Sequence, residues 1–109
     1  MKGEYRLTDK ILQMIGLAKK AGKALSGQYQ VEESIKKYEA CLIVCACDAS
    51  ENTKKRLTDM CRYRDIPVCF YGTKQEIGKF TGKDERSAAA VTDSGFAERI
   101  EMLIREVKA

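Results

Sequence analysis

Residues 41–47 read CLIVCAC, a run with no charge and no turn former. Its length suits a strand, and its unbroken apolar character means that both faces are buried. A strand buried on both faces needs helices above and below the sheet. That single requirement restricts the chain to a layered α/β architecture.

The flanking sequence supplies those helices. Thr8 or Asp9 can cap a first one, on which Ile11, Ile15 and Ala18 recur at helical spacing, and Gly22 is placed to end it. Residues 23–25 form a very short strand. Ser26 or Gly27 opens a second helix with Val31, Ile35 and Tyr38 on its inner stripe. Ser50 caps a third, with Glu51 in the first turn and Leu57, Met60 and Cys61 facing inward, until Pro67 stops it. Asp48 is expected to cap the turn into that helix. Residues 68–71 make the next strand. Thr73 and Glu76 have capping-box spacing for a short helix reaching Gly82. Residues 87–91, SAAAV, form a small-residue strand that lets a helix pack closely over it. Asp93 or Ser94 then caps a final helix carrying Phe96, Ile100, Leu103, Ile104 and Val107. With 109 residues and no linker or repeat, the alternation predicts one domain over residues 1–109, a three-layer α/β/α sandwich.

The sequence excludes most reaction chemistry. It contains no histidine, which removes a histidine general base, and it lacks both the Gly-x4-Gly-Lys-Ser/Thr phosphate loop and the dinucleotide Gly-x-Gly-x-x-Gly. Its five cysteines include no Cys-x-x-Cys pair, so they are expected to pack as small hydrophobes and to hold no metal. Cys41, Cys45 and Cys47 share parity and are expected on one face of the strand. A phosphoacceptor at Asp48 would need an acidic pair near the first strand, and none is there. The chain therefore reads as a non-enzyme with no catalytic residue and no cofactor. No apolar stretch reaches the ~18–20 residues of a membrane span, and the N-terminus has no apolar leader core. A cytoplasmic protein with no membrane partner is expected.

Charge points to an anionic partner. The net charge is +4, gathered into Lys19, Lys20 and Lys23 and again into Lys54, Lys55 and Arg56. The first group runs into Ser26-Gly27, where the second helix starts. A helix start leaves N–H groups without internal partners, and its dipole favours phosphate. Gly27 permits close approach of another backbone. Tyr29 can stack or hydrogen-bond, Gln30 can donate and accept on a base edge, and Lys20, Lys23 and Lys37 can reach phosphates. Unstacked or sheared RNA bases present suitable edges.

The segments GLAKKAGKALSG, CDASENTKKRLTDMCRYRDIPV, GTKQEIGKFTGK and AAAVTDSGFA, in that order, resemble the ribosomal L-seven-Ae / L-thirty-e family. The similarity runs from about residue 7 to residue 104 and is greatest to the small bacterial YlxQ-like branch. It implies an α/β/α sandwich around a mixed, roughly four-stranded sheet. It also implies binding of kink-turn RNA, a sharply bent helix with tandem sheared G·A pairs, and ribosomal RNA or the ribosome as a partner, with no DNA. In kink-turn binders the second helix opens with a pattern like Gly-x-Asn-Glu-x-x-Lys, whose positions fall on Gly27, Tyr29, Gln30 and Glu33. Glu33 puts a negative charge where the family has a cation. The resemblance also places Ser26, Lys37, Lys74, Lys83 and Arg86 at the site. The loop over residues 82–86 is GKDER here, whereas the family often has an apolar cover for a flipped base.

Two other classes remain open on the residues. Glu33 and the acids of the GKDER loop suit a protein-interaction module of the same fold with little RNA affinity. The cysteines suit, more remotely, a redox or metal protein.

Overall fold

A computed structural model describes residues 9–108, so that the Thr8 alternative for the first cap lies outside the described residues. The elements are α1 (Lys10–Lys20), β1 (Ala24–Ser26), α2 (Gln28–Lys36), β2 (Leu42–Cys45), α3 (Glu51–Arg64), β3 (Val68–Phe70), α4 (Lys74–Phe80), β4 (Ala88–Val91) and α5 (Ser94–Lys108).

Each helix start follows from local chemistry. Asp9 Oδ1 accepts from the N–H groups of Ile11 (2.9 Å) and Leu12 (3.0 Å). Ser50 Oγ accepts from Thr53 N–H at 3.1 Å, and Asp93 Oδ2 from Phe96 N–H at 2.9 Å. Thr73 and Glu76 complete the reciprocal capping box. Helix α2 is the exception, since Gly27 precedes it and no side chain caps it.

The four strands lie in the order β1-β4-β2-β3. β2 and β3 are parallel, while β4 runs antiparallel to both β1 and β2, so the sheet is mixed. β2 and β4 occupy the centre and all their residues are buried. Ala88, Ala89 and Ala90 stand opposite Cys45, Val44 and Ile43, so small side chains on one strand admit larger ones on the next. Helices α1, α4 and α5 cover one face of the sheet, and α2 and α3 the other. Leu12, Ile15, Ile77, Ile100 and Ile104 fill the first layer, and Val31, Ile35 and Leu57 the second.

The register gathers the element ends. Ser26, Ala88, Cys45 and Phe70 lie at one end of the sheet. The N-termini of α2, α3 and α4 therefore emerge together there. The C-terminal ends of α1, α2 and α3 collect at the opposite end.

Several expectations are corrected. Tyr38 is not on the inner stripe: α2 stops at Lys36, Tyr38 takes a left-handed conformation (φ 60°), and the residue is 66% exposed. Val107 is also exposed, because α5 runs past the edge of the core at its last turn. Cys47 does not share the face of Cys45: β2 ends at Cys45, and Cys47 sits exposed in the following turn. Asp48 does not cap α3. Its Oδ1 accepts from the Lys74 N–H at 2.8 Å, at the start of α4. The first strand covers Ala24–Ser26, one residue later than expected.

Candidate functional site

Gly27 has φ +100°, a conformation that strains any residue with a side chain. It turns the chain out of β1 straight into α2, leaving no position for a side-chain cap. The N–H groups of Gln28, Tyr29 and Gln30 accordingly have no intrahelical partner. They open on a cleft of about 500 Å3 lined by Ser26, Gly27, Gln28, Tyr29, Gln30, Lys83, Glu85, Arg86 and Ser87.

The far wall of the cleft is the segment between α4 and β4. It is held by the backbone rather than by its charged side chains. Lys83 N–H donates to the Gly78 carbonyl (2.8 Å), Arg86 N–H to the Lys74 carbonyl (3.0 Å), and Ala46 N–H to the Ser87 carbonyl (2.7 Å). The Asp48 carboxylate on the Lys74 N–H ties the same corner to the end of β2. Arg86 is directed across the cleft: its Nε would stand 3.8 Å from a Cβ at position 27, and its Nη1 donates to the Glu85 carbonyl at 2.8 Å.

Two further features belong to the cleft lining. Tyr29 stands at its mouth with 76% of its surface exposed. Ser26, one of the lining residues, has a buried hydroxyl with no hydrogen-bond partner among the described residues. An unpaired buried hydroxyl costs free energy. The ionic lining comprises two cations, Lys83 and Arg86, and one acid, Glu85, so the cleft is cationic.

Helix α2 extends the site along one side. Glu33 lies one turn beyond Gln30, half-buried, with its carboxylate 3.7 Å from Lys36 Nζ. Lys37 caps the far end of the helix. On the neighbouring edge, Gln28 Nε2 donates to Glu32 (2.9 Å), which receives a two-pronged contact from Arg56 of α3 at 2.7 and 2.9 Å. The Arg56 guanidinium, more than any other group, holds the Glu32 carboxyl below its usual range.

The structure thus brings together Ser26, Gly27, Tyr29, Gln30, Lys83 and Arg86, with Lys74 joined to them through its backbone. It does not bring Lys20 and Lys23 to the cleft. Lys23 precedes β1 and Gly27 follows it, which separates them by about 13 Å of extended chain. Gln28, Glu85 and Ser87 line the cleft without having been singled out from the sequence. Gln28 comes with Gly27 and Tyr29 at the start of α2, whereas only the return of the chain from α4 to β4 brings Glu85 and Ser87 there.

The cysteines offer no competing centre. Burial pushes the thiols of Cys45 and Cys61 up to about 11. Among the described residues no group of three metal-ligating side chains is assembled, and no helix is long and apolar enough to cross a membrane.

The sequence and the fold are similar to those of known proteins. The chain is 37% identical over 91 residues to the RNA-binding protein YlxQ of Bacillus subtilis (strain 168), covering 84% of this chain and 91% of that one. It is 32% identical over 95 residues to the large ribosomal subunit protein eL8 of Cenarchaeum symbiosum (strain A), covering 86% and 75% respectively. A solved structure of a Bacillus halodurans protein of unknown function superposes with a TM-score of 0.84 at 36% identity, over 88% of this chain and 97% of that one. The profile of the ribosomal protein L7Ae/L30e/S12e/Gadd45 family matches residues 9–101, and the chain belongs to that family.

Proposed function

We propose that this chain is a non-enzymatic, cytoplasmic RNA-binding protein that recognises structured, kink-turn-like RNA and associates with the ribosome. The observation that carries the reading is the uncapped start of α2, which opens on a cationic cleft with an exposed tyrosine at its mouth. Free N–H groups and the helix dipole suit a phosphate, while Gln30 and Tyr29 suit exposed base edges and faces. Lys83 and Arg86 flank the phosphates, with Lys74 behind them. The names of the B. subtilis and archaeal relatives support RNA and the ribosome as partners.

The test is a gel-shift series at low salt against a kink-turn duplex and a fully paired control. The kink-turn should bind more tightly, and Gln30→Ala should reduce the difference by about 1–3 kcal/mol, the range for one bidentate base contact. Lys83→Ala with Arg86→Ala should weaken both RNAs alike and flatten the salt dependence by about 0.7–0.9 per lost phosphate contact. Failure to shift any structured RNA would sink the reading. Cosedimentation with ribosomal particles, before and after nuclease treatment, tests the association.

A further inference from the structure

At the opposite end of the molecule, α2 and α3 finish side by side in the same motif. Glu39 N–H donates to the Ser34 carbonyl (2.9 Å) and Tyr38 N–H to the Ile35 carbonyl (3.1 Å). Ile66 N–H and Asp65 N–H repeat the pattern onto Cys61 and Arg62 at 2.9 and 3.3 Å. These are Schellman closures, whose left-handed position glycine fills at least cost. Aspartate tolerates that conformation, and Asp65 occupies it in α3 with φ 63°. In α2 the position belongs to Tyr38, a bulky residue with an intrinsic penalty there. The residue is mostly exposed, so core packing does not offset the strain.

Tyr63, on the last turn of α3, is 83% exposed. Between the two rings stands the Arg64 guanidinium, 5.4 Å from the centroid of Tyr63 and 5.9 Å from that of Tyr38. Arg64 is fixed by Nη1 donating to the Met60 carbonyl at 3.1 Å, and its Nε is buried without a partner. We propose that Tyr38, Arg64 and Tyr63 form a stacking platform for unpaired bases of a single-stranded RNA segment, separate from the α2 cleft. This inference rests on the RNA reading above.

The chemistry favours RNA over a protein partner. Flat rings and a guanidinium stack on bases of any sequence. Lys36, Lys37, Arg62 and Arg64 lie on these helix ends with Glu33, Glu39, Asp59 and Asp65; Lys36 pairs with Glu33 at 3.7 Å and Arg62 lies 3.9 Å from Asp59, so the stacking groups rather than net charge select the partner. The other large exposed apolar side chains, Leu17, Met102 and Val107, are on α1 and α5, which cover the other face of the sheet, so no exposed aliphatic side chain of α2 or α3 joins the rings. Lys37 and the α2 axis link the platform to the cleft, about 15 Å from Gly27 to Tyr38. A strand leaving a folded RNA at the cleft reaches it within a few nucleotides.

The test uses the full chain, a kink-turn duplex, the same duplex with an oligoadenylate tail of about six nucleotides on each strand end in turn, and the free oligoadenylate. One tail should tighten binding about tenfold, and Tyr63→Ala or Tyr38→Gly should remove that gain while leaving the untailed duplex unchanged. Tyr38→Gly also relieves the left-handed strain and should raise the melting temperature, so lost binding cannot be assigned to misfolding. The chain has five tyrosines and no tryptophan, so quenching of tyrosine emission by free oligoadenylate reads stacking directly. A tail gain retained in both variants overturns the platform, as does the absence of gain and of quenching, or a patch that captures a protein while ignoring oligoadenylate. If no duplex binds but quenching persists and disappears in the variants, the cleft reading fails and the platform stands.

Discussion

Gly78 decides at the scale of one atom where the far wall of the cleft lies. A Cβ at this position would fall inside the Asp84 carbonyl, which crosses directly over α4. Helix propensity alone would favour alanine here by about 1 kcal/mol. The clash must win, because Lys83 N–H is anchored to the Gly78 carbonyl and Arg86 N–H to the Lys74 carbonyl, so the segment rises only by giving up those bonds. We predict that Gly78→Ala costs about 3 kcal/mol in urea unfolding, the upper part of the usual overpacking range. The same variant should weaken RNA binding, since lifting residues 83–86 moves Lys83 and Arg86 without altering either. A variant within about 0.5 kcal/mol of the parent would mean that the segment lifts off α4 freely.

At the scale of elements, β2 couples the central sheet to thiol chemistry. Cys45 on β2 and Cys61 on α3 are both fully buried, and desolvation raises each from 9.0 to about 11. Between pH 9 and 11 the unfolded chain sheds these protons while the folded chain retains them. The stabilisation is complete below pH 9 and is lost as pH rises through that window, by about 2–3 kcal/mol per thiol. Lysines and tyrosines titrate nearby, so the measurement is a comparison: urea unfolding from pH 8 to 11 should fall less steeply in Cys45→Ala than in the parent. Equal slopes would show that Cys45 ionises without cost in the fold. Cys45 was legible in the sequence because an unbroken apolar run admits few placements, and Cys61 because it lies one helical turn beyond Leu57. The caps at Ser50 and Thr73 were legible because each is settled within three residues, and those of α1 and α5 were legible to within one residue, Asp9 and Asp93 being the capping members of their pairs. Tyr38, Cys47 and Val107 were not, because their exposure depends on where an element stops, and tertiary packing fixes that. Asp48 was misread because its partner, the Lys74 N–H, arrives from 26 residues away.

The basic residues near Gly27 in sequence fall at two ends of the molecule, and the sequence made them look like one. Lys20 and Lys23 are close to Gly27 in number, but β1 carries the chain from one end of the sheet to the other between them. They flank the C-terminal end of α1, where cations also offset the helix dipole, so a purely structural role would account for them. An RNA contact there requires a stem held at the α2 cleft to lie along β1, an edge strand of the sheet. The two readings differ in their dependence on RNA length. A short kink-turn confined to the cleft should give the same salt slope with the parent and with a Lys20→Ala, Lys23→Ala variant. Extending the stem by about one helical turn should steepen the slope for the parent by about 0.9 per phosphate gained, and less for the variant. If the slopes coincide at every length, these lysines serve α1 alone and the proposed RNA surface ends at the mouth of the cleft. If they diverge already on the short RNA, the nucleic acid crosses β1 directly, and the path along α2 toward Tyr38 loses its support.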